Sequence, residues 1–152
     1  MKFMTLGLVV AALSIAAPAH AQDVDAGEKV FKRCSSCHAV GEGAKHKIGP
    51  ELNDLFGRVA GSLSDYNYSK AMVEAGQNGL VWNAETLAPF LHKPKEHVAG
   101  TKMSFPGLGN DKDVTNLIAY LATYSPNYVP ADAAAAPAEG EAPAEPAAPA
   151  AQ

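Results

Sequence analysis

The chain has 152 residues, 12 basic and 16 acidic side chains and a formal charge of −4, which is room for one small domain with appendages. Most of the excess acid lies near the C-terminus, and the body between the termini carries eleven basic against twelve acidic residues. So nearly neutral a body gives no electrostatic case for nucleic acid.

Residues 1–21 read as an export signal. Lys2 precedes an apolar run from Leu6 to Ala17, and Ala19-His20-Ala21 fits the small-x-small cleavage pattern. The run is too short to span a bilayer and no second one follows. The expected mature protein begins near Gln22, soluble, in the periplasm and without membrane insertion.

Residues 22–128 form the expected domain. Asp25-x-x-Glu28 has the spacing of a capping box, and Val30, Phe31 and Cys34 recur on one helical face. That helix would deliver the cysteines at its end. Residues 39–66 are rich in Gly and polar side chains, with no strand alternation. "YSKAMVEAG" predicts a two-turn helix capped by Ser69 and ended by Gly76. "NAETLAPFLHKP" predicts a helix capped by Asn83 that stops before Pro94. Pro89 predicts a kink or irregular turn inside it, because an interior proline costs about 3 kcal/mol. In "NDKDVTNLIAYLATYS" the residues Val114, Leu117, Ile118 and Leu121 share one stripe. Asn110, Asp111 or Asp113 serves as its cap and Pro126 as its stop.

Residues 129–152 are almost entirely Ala, Pro, Glu and Gly. They cannot bury enough surface to offset their ordering entropy and are expected to be a disordered spacer.

Three to five short helices on long loops make a thin core for so small a domain. Such loops make sense around a bulky apolar group, and the two cysteines are where one would attach. They stand in "CSSCH", as Cys34 and Cys37 followed by His38. A zinc site needs about four ligands, and His46, His92 and His97 form no partner pair. A thioredoxin-type dithiol needs a βαβ unit, for which there is no pattern. A disulfide between Cys34 and Cys37 closes a tiny loop and stabilises little. The remaining reading is covalent haem attachment, for which C-x-x-C-H is a signature. Two thiols one helical turn apart meet the two vinyl groups of a porphyrin, and the next imidazole is pinned beneath its iron.

With "CSSCH", "KHKIGPELNDLFGRVAG", "YNYS", "GLVW", "GTKMSFPG" and "LIAYL" in this order, the chain resembles the class I c-type cytochromes of the cytochrome c2 and mitochondrial type. The resemblance implies an all-α fold, three to five short helices and long loops wrapped around one covalently bound haem c. It implies thioethers at Cys34 and Cys37 and axial iron ligands at His38 and Met103. Met72 is expected in the core. Pro50 would offer its carbonyl to the free nitrogen of His38, and Arg58, Tyr68, Trp82 and Thr101 would meet a buried propionate. Gly27, Phe31, Leu117 and Tyr120 would join the terminal helices. Phe90 stands where the family often has a tyrosine near the iron-bound methionine.

Two strong axial ligands leave no open iron site, so the implied protein is a monomeric one-electron carrier rather than an enzyme. His/Met ligation also raises the reduction potential. The resemblance places Lys32, Arg33, Lys45, Lys47, Lys93, Lys95 and Lys102 around an exposed haem edge. Partners docking there would be a cytochrome bc1-type donor and an oxidase, reaction centre or reductase as acceptor. The alternatives are a haem enzyme or a gas or peroxide sensor, were Met103 not bound to iron, and an electron-entry subunit of a larger assembly.

Overall fold

The computed structural model describes residues 23–128. The expected signal segment, residues 1–21, and the expected tail, residues 129–152, lie outside the described residues. Five helices follow in order: α1 Val24–Phe31, α2 Lys70–Gln77, α3 Ala84–His92, α4 Pro94–His97 and α5 Asp111–Ala122. Among the described residues the only β-pairing is one isolated antiparallel bridge, Val59 to Val81. The all-α expectation holds.

α1 begins two residues before the expected box. Asp23 is its N-cap, with a side-chain oxygen accepting from the Ala26 N–H at 2.9 Å. Asp25 sits instead in the first turn, where its charge favours the positive end of the helix. A tertiary bond distinguishes the two aspartates: the Asp23 N–H donates to Asn116 Oδ1 of α5 at 3.1 Å. α1 crosses α5 at Gly27, where a Cβ would overlap the Asn116 carbonyl and come within 2.7 Å of Tyr120 Cβ. Beyond that crossing Phe31 packs on Tyr120 with ring centroids 5.4 Å apart.

The expected stripe on α5 is buried at Val114, Leu117, Ile118 and Leu121. Asn110 caps it, accepting from the Lys112 N–H. The helix stops before Pro126 is reached. The Thr123 and Tyr124 N–H groups donate three residues back, to Tyr120 and Leu121, at 3.2 and 3.1 Å. The Thr123 hydroxyl also donates to the Tyr120 carbonyl. This tightened turn satisfies the terminal carbonyls.

α2 is capped by Ser69 as expected, but Gly76 lies inside it and does not end it. A Cβ there would overlap the Ala60 carbonyl, so Gly76 is a point of close approach to the loop below. The chain leaves the helix through Asn78 and Gly79, the latter at φ +95°, a conformation that favours glycine. α3 has the Asn83 cap and a full capping box with Thr86. It runs unbroken through Pro89, where a kink or irregular turn was expected. Both Pro89 and Glu85, whose carbonyl loses its donor, are exposed, so the missing bond falls on the solvent side of the helix. α4 then starts at Pro94, the first-turn position where proline costs nothing.

Between α1 and α2 the backbone is ordered by loop-to-loop bonds. The Gly57 N–H donates to the Trp82 carbonyl at 2.7 Å, the Trp82 N–H to the Arg58 carbonyl at 2.9 Å, and the Ala60 N–H to the Leu80 carbonyl at 2.9 Å. These loops and all but one of the helices close around a single apolar cavity. Phe31 of α1, Met72 of α2, Leu87 and Phe90 of α3 and Leu117 of α5 all line it.

Candidate functional site

After Phe31 the chain keeps turning without continuing as a regular helix. The Cys34 N–H donates to the Phe31 carbonyl at 2.7 Å, and the Cys37 and His38 N–H groups both donate to the Cys34 carbonyl at 2.9 Å. This winding brings Cys34, Cys37 and His38 onto the wall of the cavity. The two cysteines are half-buried and form no disulfide with each other. Burial pushes the Cys34 thiol up, and the neighbouring Arg33 charge acts against it.

His38 is fixed by a hydrogen bond of 2.7 Å between Nδ1 and the Pro50 carbonyl. A carbonyl only accepts, so Nδ1 carries the proton and Nε2 keeps its lone pair. Burial depresses the imidazole pKa, and the Pro50 bond works in the opposite direction. The Gly49 backbone lies against the ring itself: a Cβ there would sit 2.8 Å from both ring nitrogens. The Gly49 N–H in turn donates to the Cys37 carbonyl at 2.8 Å. The histidine is held in one tautomer and one plane, as metal-ligating imidazoles are.

Met103 reaches the same cavity from the loop between α4 and α5. Its N–H donates to the Thr101 hydroxyl at 3.3 Å. Lys102 ties this loop across the cavity mouth, donating from Nζ to the Asn67 and Tyr68 carbonyls at 2.9 and 3.1 Å. Two thiols, an imidazole lone pair and a thioether therefore meet in one apolar space. That donor set fits a covalently held haem with one nitrogen and one sulfur ligand.

Pro50, Arg58, Tyr68, Trp82 and Thr101 all line the cavity as well. Trp82 is buried and packs on Phe90 with ring centroids 4.9 Å apart. Burial raises the Tyr68 hydroxyl pKa, with the Arg58 charge opposing. Arg58 is already engaged on its outer side. It donates to Glu51 Oε1 at 3.3 Å and to the carbonyls of Asn53 and Glu51 at 3.2 Å each. Met72 is buried, as expected of a core methionine.

Three contributors were missed in the sequence: Glu51, Gly49 and Tyr66. Tyr66 donates from its hydroxyl to the Ile48 carbonyl at 2.6 Å and meets Tyr68 edge-on at 4.7 Å. The alternation in "YNY" was the only local signal that two tyrosines share a face. Glu51 and Gly49 flank Pro50, and nothing in their identity marks them.

The charged residues lining the cavity are Arg33, Arg58 and Lys102, with no carboxylate among them. Of the other cations expected at the rim, Lys47 donates to the Ser35 carbonyl at 2.8 Å. Lys93 pairs with Glu96 at 2.9 Å.

Comparison with known proteins agrees with this geometry. The cytochrome c family model matches residues 24–125. The chain is 52% identical over 107 residues to the cytochrome c2 of Afifella marina, covering 70% of this chain and 86% of that protein. It is 54% identical over 99 residues to the cytochrome c2 of Agrobacterium tumefaciens strain II Chrys, covering 65% of this chain and 89% of that protein. Among solved structures, cytochrome c2 from Rhodospirillum centenum superposes with a TM-score of 0.66 at 34% identity, covering 68% of this chain and 99% of that one. Cytochrome cH from Methylobacterium extorquens gives 0.60 at 40% identity, covering 66% and 98%.

Proposed function

This chain belongs to the cytochrome c family of electron carriers, with one covalently bound haem c, and from that premise we propose that it is a soluble periplasmic one-electron carrier. Its donor is a membrane complex of the cytochrome bc1 type. Its acceptor is a terminal oxidase, a reaction centre or a reductase. The observation that carries this reading is the convergence of Cys34, Cys37, His38 and Met103 on one cavity.

Haem c supplies a reversible one-electron centre. Cys34 and Cys37 would hold it through thioethers, and His38 Nε2 and the Met103 sulfur would supply its nitrogen and sulfur ligands. Pro50 keeps His38 in the ligating tautomer and raises its basicity. The thioether of Met103 is a soft, neutral donor that favours the reduced metal. Were both ligands supplied by the chain in this way, no site would stay open for a small molecule, and the iron would transfer electrons without catalysing a reaction.

Tyr68, Trp82 and Thr101 offer a phenol, an indole N–H and a hydroxyl to a buried propionate. Arg58 sets a compensating charge behind them, itself steadied by Glu51. Such pairing offsets the cost of burying a carboxylate. Lys32, Arg33, Lys45, Lys47, Lys93, Lys95 and Lys102 give the rim a basic field that steers acidic partners. Residues 1–21 direct export and are removed, and residues 129–152 act as a spacer.

The test is spectroscopic. The oxidised protein is expected to be low-spin with a sulfur-to-iron charge-transfer band that Met103→Ala abolishes, together with a lowered reduction potential. A high-spin unmutated protein refutes the reading in favour of an open-site enzyme or sensor.

A further inference from the structure

Among the described residues three histidines lie away from the cavity wall: His46, His92 and His97. His46 accepts the Glu51 N–H at 2.9 Å and faces Asp65, and His97 is exposed. Of the three, only His92 bonds to the loop that carries Met103. That loop runs through residues 98–110, between α4 and α5. Its first limb is tied down by Lys102 and by the Thr101 N–H, which donates to the Val98 carbonyl at 3.0 Å.

The limb after Met103 has far less to hold it. Among the described residues, hydrogen bonds reach residues 104–109 at Leu108 alone. The Leu108 N–H donates to the Leu91 carbonyl at 2.9 Å, one of the carbonyls that the end of α3 leaves without a helical partner. The Leu108 carbonyl lies 2.6 Å from His92 Nδ1. A carbonyl only accepts, so Nδ1 carries a proton and donates it there. The packing around this point is closed. Leu108 is 1% exposed, and a Cβ at Gly107 would overlap the His92 carbonyl. Asp111 Oδ1 faces the other edge of the ring, 3.1 Å from Nε2.

The bond from Leu108 to Leu91 needs only backbone, whereas the bond from His92 depends on one side chain. Without it the buried Leu108 carbonyl is left unpaired in the closed loop and regains water only when the limb lifts, which favours opening. We propose that His92 is a positioning residue: it latches the limb after Met103 onto the end of α3 and so keeps the thioether at its place in the cavity, without lining the cavity itself. This rests on the carrier reading and adds to it the side chain that sets how often the sulfur departs.

The experiment is titration of the oxidised, haem-loaded protein with imidazole, followed through loss of the sulfur-to-iron charge-transfer band. Imidazole competes for the metal only when the Met103 sulfur has left, so its apparent affinity scales with the population of the open loop. His92→Ala removes the donor, and His92→Asn returns an amide N–H close to where Nδ1 stands. The ring is 32% exposed at a helix end, and neither substitution threatens folding. His92→Ala is expected to bind imidazole about tenfold more tightly than the unmutated protein, and His92→Asn no more than about threefold. The reduction potential should fall in His92→Ala and recover in His92→Asn. Equal imidazole affinities for all three proteins overturn the inference, even where guanidinium unfolds His92→Ala more easily, because His92 would then brace the fold and not the ligand loop. Equal gains in the two variants overturn it as well, since the bulk of the ring and not its N–H would be at work. An unmutated protein without the charge-transfer band brings down the carrier reading, and the latch with it.

Discussion

Gly49→Ala isolates the contact that holds the imidazole plane. A Cβ at this position would stand 2.8 Å from both ring nitrogens of His38, closer than a carbon can approach. The Gly49 backbone is not in the left-handed region, so alanine adds no backbone strain and the effect is steric alone. Either the ring turns, weakening the 2.7 Å bond from Nδ1 to the Pro50 carbonyl, or residues 47–50 retreat and loosen the Gly49 bond to Cys37. Losing one such hydrogen bond costs about 1 kcal/mol, and overpacking a filled site costs about 1–3 kcal/mol. The expected destabilisation is about 2–4 kcal/mol in guanidinium unfolding of the haem-loaded protein. A change in reduction potential should accompany it, because the ligand's orientation and basicity move together. Gly109→Ala is the control, since its Cβ would meet nothing within 4 Å. Equal stability of the two alanine variants, with an unshifted potential in Gly49→Ala, would refute the reasoning.

Gly27→Ala should cost about 2–3 kcal/mol by forcing α1 off α5, and near-UV circular dichroism of the Phe31–Tyr120 pair should change with it; unmoved spectra and stability contradict the crossing described. Glu51→Ala leaves the guanidinium of Arg58 without its anion, for an expected loss of about 2 kcal/mol or more. Glu51→Gln keeps an acceptor and should lose less, so an equal loss in both would show that charge alone matters. The Asp65 carboxyl is held below its ordinary value of 3.8 chiefly by its hydrogen bond to His46. A depressed carboxylate pKa adds stability above the unfolded value, and that increment is lost as pH falls through the folded one. The stability gap between the unmutated protein and Asp65→Asn should therefore be constant at neutral pH and close below pH 3.8; a gap that widens in acid contradicts this.

The four donor side chains that the fold brings to one cavity were legible in the sequence. Two thiols, an imidazole and a thioether are rare enough that Cys34, Cys37, His38 and Met103 stand out against any background. The α5 stripe was legible because its burial follows the helical period. What escaped was set by groups distant in sequence. Gly76 looks like a helix stop until the Ala60 carbonyl is seen beneath it. Asp23 and Asp25 are equal as caps until Asn116 takes the Asp23 N–H. Pro89 looks like a helix breaker until it and Glu85 are both seen on the exposed side of α3. Glu51 matters through Arg58, a partner brought near by a loop that has no periodicity to read.

Lys102 separates two properties that are usually counted as one. Its ammonium has three protons and finds acceptors in the Asn67 carbonyl, the Tyr68 carbonyl and Asn67 Oδ1, at 2.9, 3.1 and 3.4 Å. The charge still radiates into solvent, but no proton is left over for a carboxylate arriving from outside. At long range this lysine behaves like its neighbours, and at contact it is mute. A survey that neutralises the basic residues one by one would read encounter and grip at Lys45. At Lys102 the same substitution would unbuckle the strap on the Met103 loop, and a loss of loop integrity would pass for a loss of recognition.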